Sequence, residues 1–189
     1  MQSKQEIEEQ PELVKAIGNE MFFYGEITQE SILEFIEKFK KLEISLLKSA
    51  ADMIGFQPMI KIHIMSEGGD LFAGVAAMNV LEKSRVKVVT VADGACCSAA
   101  TFVLLGGSER LMGPNAHLMI HQLSTGEFWG KFEELKDELR SCAKLMEAIK
   151  LIYMKKTKIP EKKFKKLMKR DIYLSASKCV KYKIVHGLD

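Results

Sequence analysis

The sequence predicts an α/β fold with a largely parallel sheet, on three observations. Short β-branched runs alternate with amphipathic stretches of helical period. Glycines close most of these runs, at Gly25, Gly68-Gly69 and Gly106-Gly107. Over 189 residues, 47% are apolar and 28% charged, a balance that suits one domain with an ordinary core.

Taken in order, Phe22-Phe23-Tyr24-Gly25 reads as a short strand ended by glycine. Ile32, Leu33, Phe35, Ile36, Phe39, Leu42, Ile44, Leu46 and Leu47 give a helical period from Ser31 to about Met53, with Thr28 or Gln29 just before it. Met59 to Met65 is a strand entering the tight loop Ser66-Glu67-Gly68-Gly69, and Leu71 to Lys83 returns to helix. Val86 to Val91 is the next strand, Ala99 to Leu105 the next helix, and Leu118-Met119-Ile120 a further strand. A long charged helix is expected from about Lys131 to Lys155, and Pro160 starts the next turn. Its apolar positions, Phe132, Leu135, Leu139, Cys142, Leu145, Met146 and Ile149, exceed what one small core needs, which suggests packing on a neighbouring subunit. A short segment from Ile172 leads to a last helix.

Composition excludes several classes. The first ten residues lack an apolar signal core, and no segment approaches the about 20 apolar residues of a membrane span. The expected location is therefore cytoplasmic, without a membrane partner. Nine Lys and Arg lie between Lys155 and Arg170 against one acid, Glu161. Ile159, Phe164, Leu167 and Met168 interrupt that run at helical spacing, so it reads as a solvated helix face rather than a nucleic-acid site. The four cysteines, Cys96, Cys97, Cys142 and Cys179, form no Cys-x-x-Cys pair and read as reduced apolar side chains.

Chemistry concentrates around Ser98, where a β-rich stretch gives way to an apolar helix. A serine there can aim its hydroxyl outward beside helix N–H groups, which suits nucleophilic attack and oxyanion stabilisation. Its plainer reading is a helix N-cap. Small neighbours, Ala95, Cys96, Ala99 and Ala100, leave room for a substrate main chain. Cys97 is the rival nucleophile, in poorer context. Gly68-Gly69 lets a backbone approach closely, although taken alone the pair reads better as an ordinary turn. His121 follows an apolar strand. Paired with His117 at i, i+4 it could suggest a metal, but no glutamate lies between them, and no metal or cofactor is expected. His63 and His186 lack comparable surroundings. Asp171, read alone, is a surface cap or ion pair. Taken together, Ser98, His121 and Asp171 give a Ser…His…Asp order, in which the acid fixes the histidine tautomer.

These residues resemble a known family, the proteolytic subunit of the Clp protease (ClpP). Its Ser-Pro-Gly-Gly loop is similar to Ser66-Glu67-Gly68-Gly69, and its Gly-x-Ala-Ala-Ser-Met-Gly turn to Gly94-Ala95-Cys96-Cys97-Ser98-Ala99-Ala100. Its Met-Ile-His-Gln segment matches Met119-Ile120-His121-Gln122, and its Glu-Arg-Asp-x-x-Leu-Ser-Ala segment resembles Lys169-Arg170-Asp171-Ile172-Tyr173-Leu174-Ser175-Ala176. The resemblance implies a ClpP/crotonase-like fold with repeated ββα units, a single domain over 1–189, and a protruding handle helix within about 124–158. It implies a serine endopeptidase acting on unfolded polypeptides. Ser98 would be the nucleophile, His121 the general base and Asp171 its orienter. The N–H groups of Gly69 and Ala99 would form the oxyanion hole, and Gly68, Gly69 and Leu123 would hold substrate. Two stacked seven-membered rings enclosing a chamber are implied, with an AAA+ unfoldase as partner.

Departures are also present. Glu67 stands where the family has proline, Cys96 and Cys97 where it has alanines, and Ala99 where it has methionine. Residues 1–21 lack the family's run before the first strand. These features fit a divergent, phage-encoded or organellar, relative better than a standard bacterial subunit. Three other readings remain open from the sequence: a phage prohead protease of the same fold, a catalytically silent subunit of a mixed ring, and an acyl-CoA enzyme of the crotonase kind.

Overall fold

The computed structural model describes residues 13–189. The elements are β1 (Val14–Ile17), β2 (Glu20–Tyr24), α1 (Gln29–Asp52), β3 (Met59–Ser66), α2 (Leu71–Glu82), β4 (Lys87–Cys97) and α3 (Ala100–Gly106). They continue as β5 (Glu109–Met112), β6 (His117–Met119), α4 (Phe132–Lys156), α5 (Glu161–Leu167), β7 (Tyr173–Ser175), α6 (Ala176–Lys181) and β8 (Gly187–Leu188).

The main sheet runs β1-β2-β3-β4-β5-β8. All neighbours from β2 to β8 are parallel, and only β1 joins antiparallel, as a hairpin with β2. β4 serves two partners. Val89–Ala92 pair with β5, and Ala95–Cys97 pair with β6, which in turn pairs antiparallel with β7. The sheet therefore divides along β4, at Asp93-Gly94, and Ser98 emerges where the second branch ends. A division of this kind opens a crevice beyond the strand ends, where α/β sheets place their ligands.

Alternation along β3 explains the layering. Ile60, Ile62 and Ile64 face the core with no exposure, while Lys61 and Met65 point the other way. Against that core α1 lays Ile32, Phe35 and Phe39, spaced at i, i+3 and i+7. The Phe35 ring meets Phe23 of β2 edge-on at 5.8 Å. α1 begins with a reciprocal cap. Thr28 Oγ1 accepts from the Ser31 N–H (3.1 Å) and Ser31 Oγ from the Thr28 N–H (2.9 Å), an arrangement that contributes about 1 kcal/mol. Every residue of α3 is buried.

Several expectations shift. Strand β4 runs to Cys97 rather than stopping at Val91, because its far end gains β6 as a partner. The segment set apart as 1–21 is partly sheet, since Val14–Ile17 pair with Glu20–Phe23 across the Gly18-Asn19 turn. Residues 1–12 lie outside the described residues. The basic run is a helix, α5, that buries Phe164 and Leu167, with Ile159 and Met168 buried on either side. α4 buries only Ile149 and Tyr153, and Trp129, Phe132 and Leu139 are largely exposed. Among the described residues no helix is long and apolar enough to cross a membrane.

Candidate active site

Ser98 sits at φ 52°, a left-handed conformation that is uncommon for any residue with a Cβ. Strand pairing and helix start impose it together. The Ser98 N–H donates to the Met119 carbonyl (2.9 Å), as the last rung of β4–β6, and its carbonyl accepts from the Thr101 N–H (3.0 Å) as α3 begins. The helix N-cap is Ala99, not Ser98, so the serine hydroxyl caps nothing. The capping reading of Ser98 is thereby corrected.

A buried relay holds this turn. Thr101 Oγ1 donates to the Ser98 carbonyl at 2.6 Å and accepts from the Tyr153 hydroxyl of α4. Burial pushes the Tyr153 hydroxyl well above the usual tyrosine range, so it remains a donor. Neither Thr101 nor Tyr153 stood out in the sequence, where Tyr153 is one apolar position of a helical stripe.

The glycine loop packs directly on this turn. At Gly68 (φ 106°) a Cβ would lie 2.6 Å from Ser98 Cβ and 3.2 Å from the Ala99 nitrogen. At Gly69 (φ 141°) it would lie 2.2 Å from the Ile27 carbonyl oxygen. Ile27 clamps the loop from behind, donating to the Gly68 carbonyl (2.8 Å) and accepting from the Asp70 N–H (2.7 Å). Only glycine fits either place. Among the described residues, neither Gly69 nor Ala99 donates its N–H to a protein acceptor. Asp70 caps α2 through the Ala73 N–H (2.8 Å).

Gly69, Ser98, Ala99, His121 and Leu123 line one cleft of about 360 Å³, floored by Phe102, Leu145, Ile149 and Tyr153. Gly68 lines an adjoining depression with Tyr24, Glu26, Glu67 and Ala95. His121 is one-fifth exposed, and the chain after it is pinned by the Gln122 N–H donating to Met168 at 2.9 Å. Asp171 lies outside the cleft lining. Its Oδ1 is 4.0 Å from His121 Nδ1 and its side chain is 76% exposed. No hydrogen bond joins Ser98 Oγ to His121 among the described residues. Cys97 is a poor rival nucleophile, because burial and then Glu67 push its thiol up to about 12. The same Glu67 carboxylate raises the neighbouring Tyr173 hydroxyl.

His117 Nδ1 lies 3.1 Å from the Asn115 carbonyl and pairs with no acid. Among the described residues, the side chains able to share an ion are His63, Asp93 and Asp189, none of which lines the cleft. His63 has surroundings that its sequence context did not reveal.

Comparisons with known proteins agree with this architecture. A family model described as Clp protease matches residues 13–188. The ATP-dependent Clp protease proteolytic subunit of Deinococcus radiodurans is 30% identical over 128 residues, 67% of this chain and 62% of that protein. The chloroplastic ATP-dependent Clp protease proteolytic subunit 1 of Arabidopsis thaliana is 31% identical over 169 residues, 87% of this chain and 81% of that one. The solved structure of a ClpP1 mutant from Listeria monocytogenes has a TM-score of 0.77 at 24% identity, covering 91% of both chains. That likeness shows the ClpP fold. On the family model spanning residues 13–188 and these relatives, this chain is a member of the Clp protease family.

Proposed function

We propose that the protein is a serine endopeptidase in which Ser98 is the nucleophile, His121 the general base and Asp171 the group that orients it. The observation that carries this reading is the Ser98 turn: a strained, uncapped serine sharing one cleft with His121 and with the N–H groups of Gly69 and Ala99. Ser98 Oγ attacks the scissile carbonyl as His121 Nε2 takes its proton. The two N–H groups receive the oxyanion, and the protonated imidazole then gives its proton to the leaving amine. Water, activated by the same histidine, releases the acyl-enzyme. The substrate main chain lies between Gly68-Gly69 and the Leu123 segment, and the apolar floor takes one side chain. For Asp171, rotation closing the 4.0 Å separation by about 1 Å gives the orienting hydrogen bond.

Unfolded polypeptides are the proposed substrates, inside two stacked seven-membered rings fed by an AAA+ unfoldase. The uncovered Trp129, Phe132, Leu135 and Leu139 of the handle region support assembly, because a lone chain leaves them in water. The Ser98→Ala variant tests the activity: hydrolysis of a fluorogenic peptide falls by at least about 1000-fold while the particle mass is kept. Undiminished turnover refutes the assignment.

A further inference from the structure

The structure points to a second site, on the sheet face opposite Ile60, Ile62 and Ile64: we propose that His63, Asp93 and Asp189 bind one divalent transition-metal ion. The three come from β3, β4 and the residue after β8, and their ligand atoms lie within 4.8 Å of one another. His63 Nδ1 is 2.9 Å and 3.1 Å from the two Asp93 oxygens. A four-coordinate zinc ion with bonds of about 2.1 Å sets its ligand atoms roughly 3.4 Å apart. The His–Asp93 edge is already close to that spacing, and Asp189 closes the third side from the rim.

The case rests on the buried ring. His63 is 9% exposed and stacked on Phe22 at 4.6 Å. Its Nε2 is buried with no hydrogen-bond partner among the described residues, 4.0 Å from a Glu20 oxygen. If the neutral ring carries its proton on Nδ1, the Nε2 lone pair is buried facing an acid. If it carries the proton on Nε2, the Nδ1 lone pair meets a carboxylate at 2.9 Å. Either tautomer leaves one ring nitrogen in conflict with its surroundings, an acceptor without a donor. A cation on Nδ1 removes the conflict. It joins Nδ1 to Asp93 and leaves the Nε2 proton on the side of Glu20, 4.0 Å away, a carboxylate of the kind toward which metal-bound histidines turn their second nitrogen.

The remaining groups are arranged as support. Tyr24 donates its hydroxyl to Asp93 Oδ2 at 2.5 Å, which orients that carboxylate. Lys61 contacts both Asp189 oxygens, at 2.7 Å and 2.9 Å, so one oxygen can turn to the ion while the other keeps the ammonium. The Asp189 N–H donates to Met112 of β5 at 3.1 Å, which fixes its backbone beside the cluster. One nitrogen and two carboxylates suit zinc or a neighbouring first-row ion rather than calcium or magnesium. Bound there, the ion fastens the segment after β8 to the middle of the sheet.

The rival is an imidazolium held between Asp93 and Glu20, which has no need of Asp189. The test uses the full chain, reduced and freed of metal by a chelator, titrated with Zn2+ alone by calorimetry and thermal melting, and with Co2+ by absorption. We expect one ion per chain, a rise in Tm of roughly 5–10 °C at 100-fold excess over Kd, and a cobalt spectrum without thiolate bands. Asp189→Asn, at the rim, keeps the fold and weakens binding at least about 10-fold, and His63→Gln does the same. No stoichiometric binding, thiolate bands from the cysteines, or affinity unchanged in both variants each overturns the proposal.

Discussion

Gly68 and Ser98 are in direct contact, so closely that a Cβ on the glycine would sit 2.6 Å from the serine Cβ. The loop that ends β3 and the turn that ends β4 therefore fix one another. Gly68→Ala must move the loop or the serine, and φ 106° already disfavours any side chain there. The expected result is a stability loss of about 2 kcal/mol and turnover reduced at least about 100-fold, read by denaturation and peptide hydrolysis. Normal turnover in that variant is incompatible with this packing.

The φ of 52° at Ser98 predicts an opposite pair of effects. Ser98→Gly and Ser98→Ala both abolish hydrolysis, but the glycine variant relieves the left-handed strain and is more stable than the alanine one by about 1 kcal/mol. Equal midpoints in urea would remove strain from the account.

Asp171→Asn separates orientation from stability. The side chain is 76% exposed, so denaturation midpoints move by less than about 0.5 kcal/mol. Loss of the orienting carboxylate lowers kcat/KM by at least about 100-fold. If turnover is unchanged, another group orients His121.

Tyr153→Phe removes the hydroxyl that donates to Thr101 and leaves the ring packed against Phe164 and Phe102. It is expected to cost about 1 kcal/mol and to slow turnover by loosening the Ser98 carbonyl, with KM less affected than kcat. A change in KM alone would place its effect on the cleft floor instead.

Glu43 gives a pH prediction. It is 2% exposed on α1 and accepts from Lys40 (2.8 Å), Ser84 Oγ (2.9 Å) and the Arg85 N–H (2.7 Å). Burial alone would raise its carboxyl, but these donors outweigh burial and hold it below the ordinary value. A depressed carboxyl stabilises the fold above the ordinary glutamate range, and that contribution is lost as pH falls through the folded value. Glu43→Gln should therefore cost about 2 kcal/mol at neutral pH and show a flatter acid limb than the parent in urea titrations.

Elements whose pattern is local could be read directly from the residues. The Phe35 and Phe39 stripe, the β3 alternation and the glycine pair each announce themselves within a few positions. Strands β5, β7 and β8 did not, because each is four residues or fewer and exists through a distant partner. The β1–β2 hairpin carries a weak local signal in Gly18-Asn19, because a four-residue run such as Val14–Ile17 has no periodicity to set it apart from a tail. At the cleft, Ser98, His121, Gly69 and Ala99 share one lining, each on a motif legible within a few positions, whereas Asp171 stands at the edge and Tyr153 is one position of a helical stripe. His63 was the least readable of all. Its neighbours are 30 positions away in Asp93 and beyond 120 in Asp189, and no spacing rule joins them.

Helix α4 spans 25 residues, about 37 Å, and it is stiff along that length. Its C-terminal half supplies Ile149 and Tyr153 to the cleft floor, while its N-terminal half has little protein beneath it. The rod therefore works as a lever whose long arm lies outside the molecule. A contact made on Phe132 or Leu139 would therefore be carried along the helix to Ile149 and Tyr153 in the cleft floor, without touching Ser98.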